Sequence, residues 1–271
     1  LKIGPESTAA TAISASNPHT ILVRGFDLVE DLIGQASFTD YFWLLVTGAS
    51  PSKAQSTILD ATLVAIAEHG LVPSVQASRM TLAAAPEAFQ GAVAAGLLGC
   101  GSVILGASEA AGRLTTEVLS LKSARLEDAV RSVLETYRAE KRPIPGFGHP
   151  LHKEGDPRAK KLFELAERLG VAGAHTEATR EIERQLPKVI GKPLMMNVSA
   201  AIPAVLLDGG YPLLALKGVP LLARAAGLVG HLLEEIKRPI GFHMSQAAAA
   251  SIHYDGPAPA GFVAGDHRGG R

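Results

Sequence analysis

Apolar and polar positions follow one another along this chain mostly with a helical period. Residues 53–68, K-A-Q-S-T-I-L-D-A-T-L-V-A-I-A-E, put Ile58, Leu59, Leu63, Ile66 and Ala67 on one side at three- to four-residue spacing, which predicts an amphipathic helix. Residues 124–140 predict a second, more charged helix with Leu126, Val130, Val133, Leu134 and Tyr137 as its apolar stripe. After Asp156 and Pro157 the stripe is Leu162, Phe163, Ala166 and Leu169, and Gly170 supplies the stop. The stretch 213–237 is apolar on all sides and is expected to be a central, buried helix. Only residues 20–26 and 252–254 read as short strands. With no alternation of strand and helix and no internal repeat, the predicted fold class is all-α.

Glycine and proline divide this pattern. The run 96–106 is rich enough in glycine for a hinge or a tight helix crossing, and 187–193, P-K-V-I-G-K-P, reads as a return linker. Residues 107–190 between them carry most of the charge and suit a smaller, more solvated domain, while the tail from Gly256 is expected to be loose. Composition adds a partner to the picture. Of 271 residues 47% are hydrophobic and only 19% charged, which points to surface buried against another subunit. Lys plus Arg (26) equals Asp plus Glu (26), so the chain lacks the broad positive footprint of a nucleic-acid binder. The single cysteine, Cys100, excludes an internal disulfide and fits a reducing compartment, and its setting L-L-G-C-G-S is that of a small packing residue. No uninterrupted apolar run reaches the ~18 residues of a membrane span; 81–107 comes nearest, broken by Glu87, Gln90 and several glycines. No export signal is visible, so no membrane partner and a cytoplasmic location are expected.

The candidate chemistry is densest in 145–158, P-G-F-G-H-P-L-H-K-E-G-D-P-R. Gly146 and Gly148 around Phe147 allow positive φ or a close backbone approach. His149 stands on a loop and titrates near physiological pH. Asp156 and Pro157 suit the cap and first position of a helix. Arg158 therefore sits where the helix dipole and free N–H groups favour an anion, and its charge is met either by a bound carboxylate or phosphate or by Asp156 or Glu154. His152 and Lys153 add positive charge suited to an anionic ligand. Elsewhere, His69 ends an amphipathic helix and taken alone is a C-terminal cap. Arg224 interrupts an apolar helix, where a charge needs a partner. Arg238, after Glu234, Glu235 and Lys237, taken alone is a solvated helix end.

P-G-F-G-H149 followed by D-P-R158-A resembles the signature of the citrate synthase superfamily, which includes citryl-CoA lyases and the lyase module of ATP-citrate lyase. Four further segments resemble that superfamily in the same order, so the likeness covers nearly the whole chain. They are V-R-G-F-D-L-V-E-D-L near the start, E-H69-G-L-V-P-S-V-Q-A-S-R79, L-L-A-R224-A-A-G-L-V-G-H231, and K-R238-P. The resemblance implies a mainly helical two-domain fold. Its large domain would be discontinuous, 1–106 and 191–271, with a small domain on the CoA side, 107–190, inserted between. It also implies that His149 and His69 contact an oxaloacetate or citrate moiety, His149 at the oxygen on the carbon where a C–C bond is made or broken. Arg158 and Arg224 would clamp carboxylates, a task for which a guanidinium fork is better suited than lysine. Arg238 would come from the neighbouring subunit, making the protein a homodimer. Gly146, Phe147, Gly148 and Lys153 would lie along coenzyme A, the expected cofactor, supplied as a thioester; no metal is expected.

Two positions depart from the superfamily's pattern. The aligned stretch I104-L-G-A-S-E109 has Ile104 where the superfamily carries the histidine that stabilises the thioester enol, and N197-V198-S199 has Ser199 where it carries the aspartate that takes the methyl proton. Enolising a thioester requires a base at the carbon and a donor at the oxygen, and neither isoleucine nor a neutral serine serves. Glu109 is the nearest ionisable residue, and a helix-start carboxylate is the plainer reading of it. The expected function is that of a citryl-CoA lyase- or citrate synthase-like protein acting at a C–C bond between an acyl-CoA and an oxo-acid such as oxaloacetate. The alternatives are a non-catalytic homodimer that binds a di- or tricarboxylate or CoA, and a decarboxylase or hydratase on the same scaffold.

Overall fold

The computed structural model describes residues 9–101, 105–121, 123, 125–148 and 155–261. Among them the chain is mainly helical, as predicted. A three-stranded antiparallel sheet (β1, Ser14–Ser16; β2, Ile21–Val23; β3, Phe26–Asp27) precedes α1 (Phe38–Thr47), α2 (Lys53–Ala67), α3 (Pro73–Ala84) and α4 (Phe89–Leu98). Then follow α5 (Ala107–Ser120), α6 (Leu126–Ala139), α7 (Pro157–Arg168), α8 (Ala174–Ile190), α9 (Val198–Asp208), α10 (Gly218–Lys237) and α11 (Gly241–Ser251). Contacts divide the chain into two compact units, both discontinuous: Leu1–Ala65 with Gly106–Val219, and Ile66–Leu105 with Pro220–Arg271. Residues 107–190 fall within the first of these.

In the first unit the run 20–26 is two strands rather than one. Arg24 and Gly25 both take positive φ (52° and 90°), the turn whose twist matches an antiparallel hairpin, and Val23 pairs with Phe26. The sequence pattern missed β1 because Ser14–Ser16 is polar and exposed, held only by its ladder to β2. The core forms where α5, α6 and α8 meet, with Leu114, Val130, Leu134, Tyr137, Ile182 and Leu186 buried together. Beside it lies α9, buried almost throughout and packed by α5, α7 and α8. The last residue of α9, Asp208, accepts from the N–H groups of Gly173, His175 and Thr176 and so caps the start of α8. Helix α8 runs through Pro187 and stops at Gly191 (φ 77°), so the linker expected at 187–193 begins only after Ile190. Leu186 and Val189 stay in the core there, which outweighs the one hydrogen bond that proline lacks.

In the second unit α3 packs on α4 and α11 packs on α3. The glycine run 96–106 opens on a tight crossing: a Cβ at Gly96 would lie 2.6 Å from Leu228 Cδ1 and 2.9 Å from the Ser74 carbonyl. A Cβ at Gly227 would lie 2.1 Å from the Ala67 carbonyl oxygen. Because that obstacle is backbone, Gly227→Ala is expected to destabilise the protein by about 3 kcal/mol in urea denaturation, and a loss under about 1 kcal/mol would show that the helix can step aside.

Two sequence expectations are corrected. Segment 213–237 is not one helix buried on all sides. It starts with a 3-10 turn, Leu213–Ala215, and α10 then buries Ala223, Leu228 and Leu232 on one face while Leu233 and Ile236 on another are exposed. Hydropathy alone does not tell packing inside one chain from a face left for something else. Leu213–Lys237 is long and apolar enough to cross a membrane. Within this unit, however, its Glu235 is buried and paired with Arg79. Residues 252–254 form no strand; they follow α11 with Ile252 and Tyr254 exposed and no ladder partner, and three residues do not hold a strand alone.

Candidate functional site

The first unit holds the glycine loop. Gly146 and Gly148 both take positive φ (85° and 82°), and a Cβ at Gly146 would lie 2.6 Å from Ala200 Cβ, so the loop is pressed against the first turn of α9 as only glycine permits. Phe147 forms a bridge with Met196, the Gly148 N–H donates to the Met195 carbonyl (2.8 Å), and the Asn197 N–H donates to that of Gly146 (3.0 Å). Asn197 completes the arrangement. Its Oδ1 caps α9 by accepting from the Ser199 N–H (2.9 Å), and its Nδ2 donates to the Gly148 carbonyl (2.7 Å).

Asp156 closes the other side of the same region. Its Oδ1 accepts from the backbone N–H and Nε of Arg158, both at 3.0 Å, and its Oδ2 from Arg158 Nη2 (2.8 Å) and the Val198 N–H (3.0 Å). Burial works to raise this carboxyl, but the bonds from Arg158 and Val198 hold it below the usual carboxylate range. Of the two readings left open for Arg158, the structure shows the internal one made: the guanidinium forks onto Asp156, and its Nη1 reaches the Ala65 carbonyl at 3.5 Å. A cleft of about 610 Å³ runs past Gly155, Asp156 and Pro157, with Phe163 and Met195 lining it and Lys160 and Arg180 on its walls. Glu109 sits in the first turn of α5 bound to Arg113 (2.8 Å), the plainer of its two readings. The first turn of α9 contains no acidic residue, and Ser199 stands in it.

The second unit holds Arg224, His69 and Arg238. Arg224 is 2% exposed, and its Nε and Nη1 have no hydrogen-bond partner among the described residues. A buried cation is costly unless its donors are met, by a group outside the described residues or by a ligand. Just past the end of α2, His69 lies in a turn closed by Gly70 (φ 72°). The neighbouring Glu68 carboxylate accepts from the Gly70 N–H and meets His231 Nε2 at 2.9 Å, and His231 Nδ1 is buried without a partner among the described residues. Arg238 is 81% exposed and stands 3.7 Å from Glu234. Its surroundings are anchored by Arg79, which is buried and donates to Glu235 (2.7 Å), Glu234 (2.9 Å) and the Arg238 carbonyl (3.3 Å). Glu235 also accepts from Ile240 and Gly241, and these bonds hold it below the usual range although burial works to raise it.

The structure thus gathers Gly146, Phe147, Gly148 and Arg158 in one unit and His69, Arg224 and Arg238 in the other. His149, Lys153 and Ile104 lie outside the described residues. Asn197, Arg79 and Glu235, which fix the backbone around these groups, were not singled out from sequence. Asn197 and Arg79 do stand inside the quoted motifs, and a polar residue at a helix cap or in an apolar stripe was the available signal.

The citrate synthase C-terminal domain model matches residues 50–240. The fold is similar to that of a citryl-CoA lyase from Hydrogenobacter thermophilus, with a TM-score of 0.83 and 32% identity over 94% of this chain and 97% of that one. It is also similar to an ATP citrate lyase from Methanothrix soehngenii solved with citrate and coenzyme A, at a TM-score of 0.76 and 20% identity over 97% of this chain and 44% of that one. In sequence it is 28% identical over 205 residues to a citrate synthase of Synechocystis sp., covering 73% of this chain and 50% of the relative. It is 33% identical over 128 residues to citrate synthase 2 of Bacillus subtilis, covering 47% of this chain and 33% of the relative. The chain therefore spans half or less of the length of these two curated relatives, but nearly all of the lyase structure. With its motifs in order, its helical fold and most of its length matched, this chain belongs to the citrate synthase family.

Proposed function

We propose that this protein binds an oxo- or hydroxy-acid with two or three carboxylates together with a CoA thioester, and acts at the C–C bond between them in the manner of a citryl-CoA lyase. The observation that carries this reading is Arg224, a buried guanidinium with two nitrogens unpartnered among the described residues. A carboxylate supplies the charge and the in-plane acceptors that such a group lacks. Arg158, pre-set by Asp156, would offer its remaining donors to a second carboxylate, and Arg238 would complete the site of a neighbouring copy in a homodimer. The exposure of Arg238 and of the apolar face of α10 supports that assembly. The thioester would run along Gly146, Phe147, Gly148 and Lys153, with the cleft that Lys160 and Arg180 border to receive part of it.

In the cleavage direction His149 would take the hydroxyl proton as the C–C bond breaks, with His69 bonded to the acid. The hydroxyl-bearing carbon would become the keto carbon of the oxo-acid, and the bond's electrons would pass to the thioester as an enolate, which then gains a proton at carbon from water. Turnover of citryl-CoA to oxaloacetate, with oxaloacetate and CoA binding measured by calorimetry, tests this. His149→Ala should abolish turnover, and turnover surviving that change would remove His149 from its role. A second reading, a non-catalytic carboxylate-binding homodimer, is favoured by one observation: no carboxylate stands in the first turn of α9, where Ser199 does. Tight citrate or oxaloacetate binding with no turnover of any CoA thioester would select it.

A further inference from the structure

The turn that carries His69 is tied to α10 through the side chain of Glu68. This residue divides its two carboxylate oxygens between two elements: Oε1 accepts from the Gly70 N–H, and Oε2 meets His231 Nε2 at 2.9 Å. Burial works to raise the carboxyl, but the bonds from His231 and Gly70, with the His69 N–H adding to them, hold it below the usual carboxylate range. It is therefore an anion, and the His231 nitrogen that faces it carries a proton. Beside this link the two elements touch. A Cβ at Gly227 would lie 2.1 Å from the Ala67 carbonyl oxygen, so the end of α2 is seated on α10 at that glycine. Arg224, Gly227 and His231 follow one another at three- and four-residue spacing and share one face of the helix. Contact and ion pair together fix the His69 turn to the face on which Arg224 stands, all within one compact unit.

We propose that Glu68 and His231 are positioning residues for His69, holding its turn against the Arg224 face of α10 so that imidazole and guanidinium are presented to the same carboxylic acid. This rests on the reading of His69 and Arg224 as partners of that acid. Support of the fold is the plainer role for an ion pair, and the setting argues against it. The pair borders a cleft of about 590 Å³ and Glu68 is half-exposed, a situation in which ion pairs add little to stability. What the pair does supply is placement. The bonds from the Val72 N–H to the Gly70 carbonyl (2.8 Å) and from Gln76 Nε2 to the Leu71 carbonyl (2.6 Å) are local and set the shape of the turn. The bond from His231 sets where that shape sits on α10. A side chain that binds substrate must be held to within about 0.5 Å, and neighbours that never touch the substrate provide that restraint.

A double-mutant cycle on the intact protein tests this, with oxaloacetate affinity read by calorimetry and folding by urea denaturation. His231→Leu should weaken oxaloacetate binding about ten-fold in the parent and change nothing further in a His69→Ala background, because a residue that acts through another has no effect once that other is gone. Should His231→Leu fail to fold, Glu68→Gln at its half-exposed position should give the same pattern, since the amide sets an N–H group against one of the two donors. His231→Gln, which keeps a donor near the place of Nε2, should recover most of the affinity; without that recovery the side chain matters only as bulk and the proposal fails. Equal weakening with and without His69, or none in the parent, would also overturn it and leave Arg224 as the anchor. If His69→Ala alone leaves affinity unchanged, the role of His69 falls and the proposal with it. If neither oxaloacetate nor citrate binds the parent, the reading of the whole site falls first.

Discussion

Replacing Arg224 with methionine is expected to stabilise the ligand-free protein by about 2 kcal/mol and to weaken oxaloacetate and citrate binding about 100-fold or more. Both signs follow from one fact: two guanidinium nitrogens are buried without partners among the described residues. Taking a cation out of water is repaid only when its donors are met, so an apolar side chain of similar length relieves the unpaired charge. The same change removes a guanidinium able to meet a carboxylate with two parallel hydrogen bonds. Urea denaturation and calorimetry on the same preparation read the two effects. A destabilised variant would show that the guanidinium is already satisfied, and unchanged affinity would remove Arg224 from the site.

Asp156→Asn is expected to cost about 3–5 kcal/mol, because it leaves Arg158 without its carboxylate and weakens the cap of α7 at once. Four donors converge on this buried side chain, two of them from the same arginine fork. The change also has a pH signature. A carboxyl held below its ordinary range stabilises the fold above its unfolded pKa, and that stabilisation is lost as pH falls through the folded value. Asp156 and Glu235 share this sign, so stability should be flat above about pH 4.5 and fall progressively below it. Asp156→Asn should be less stable at neutral pH and flatter in acid. A variant as acid-sensitive as the parent would show that Asp156 is not among the groups responsible.

Helices were legible wherever one apolar stripe faced one core. Leu126, Val130, Val133, Leu134 and Tyr137 were read from spacing and are packed in α6 as read. Segment 213–237 was misread because apolar residues on every side of a helix look the same whether they face the chain's own core or another surface. Segment 252–254 was misread because β-branched and aromatic residues report strand preference without saying whether a neighbouring strand exists. At the site, the charges were legible and their partners were not. Arg158 offered two readings from sequence, and only the structure shows its fork on Asp156. Asn197 was passed over as a helix cap, although the same side chain holds the Gly148 carbonyl. Motifs mark residue types at fixed spacing, whereas hydrogen bonds between residues some 50 positions apart depend on the fold.

What remains is the proposed division of labour between Arg224, assigned to the carboxylate, and a thioester region with Ile104 and Ser199 at the two positions expected to enolise. Proton exchange separates the two. The protein, saturated with oxaloacetate, is placed in heavy water with a non-condensing analogue of acetyl-CoA that retains the methyl group, and deuterium uptake is followed by mass. An ordinary citrate synthase is run alongside. With Ser199 where a carboxylate base would be expected, oxaloacetate should bind while the methyl group exchanges far more slowly than in the ordinary synthase. Exchange at the rate of the ordinary synthase would contradict that division.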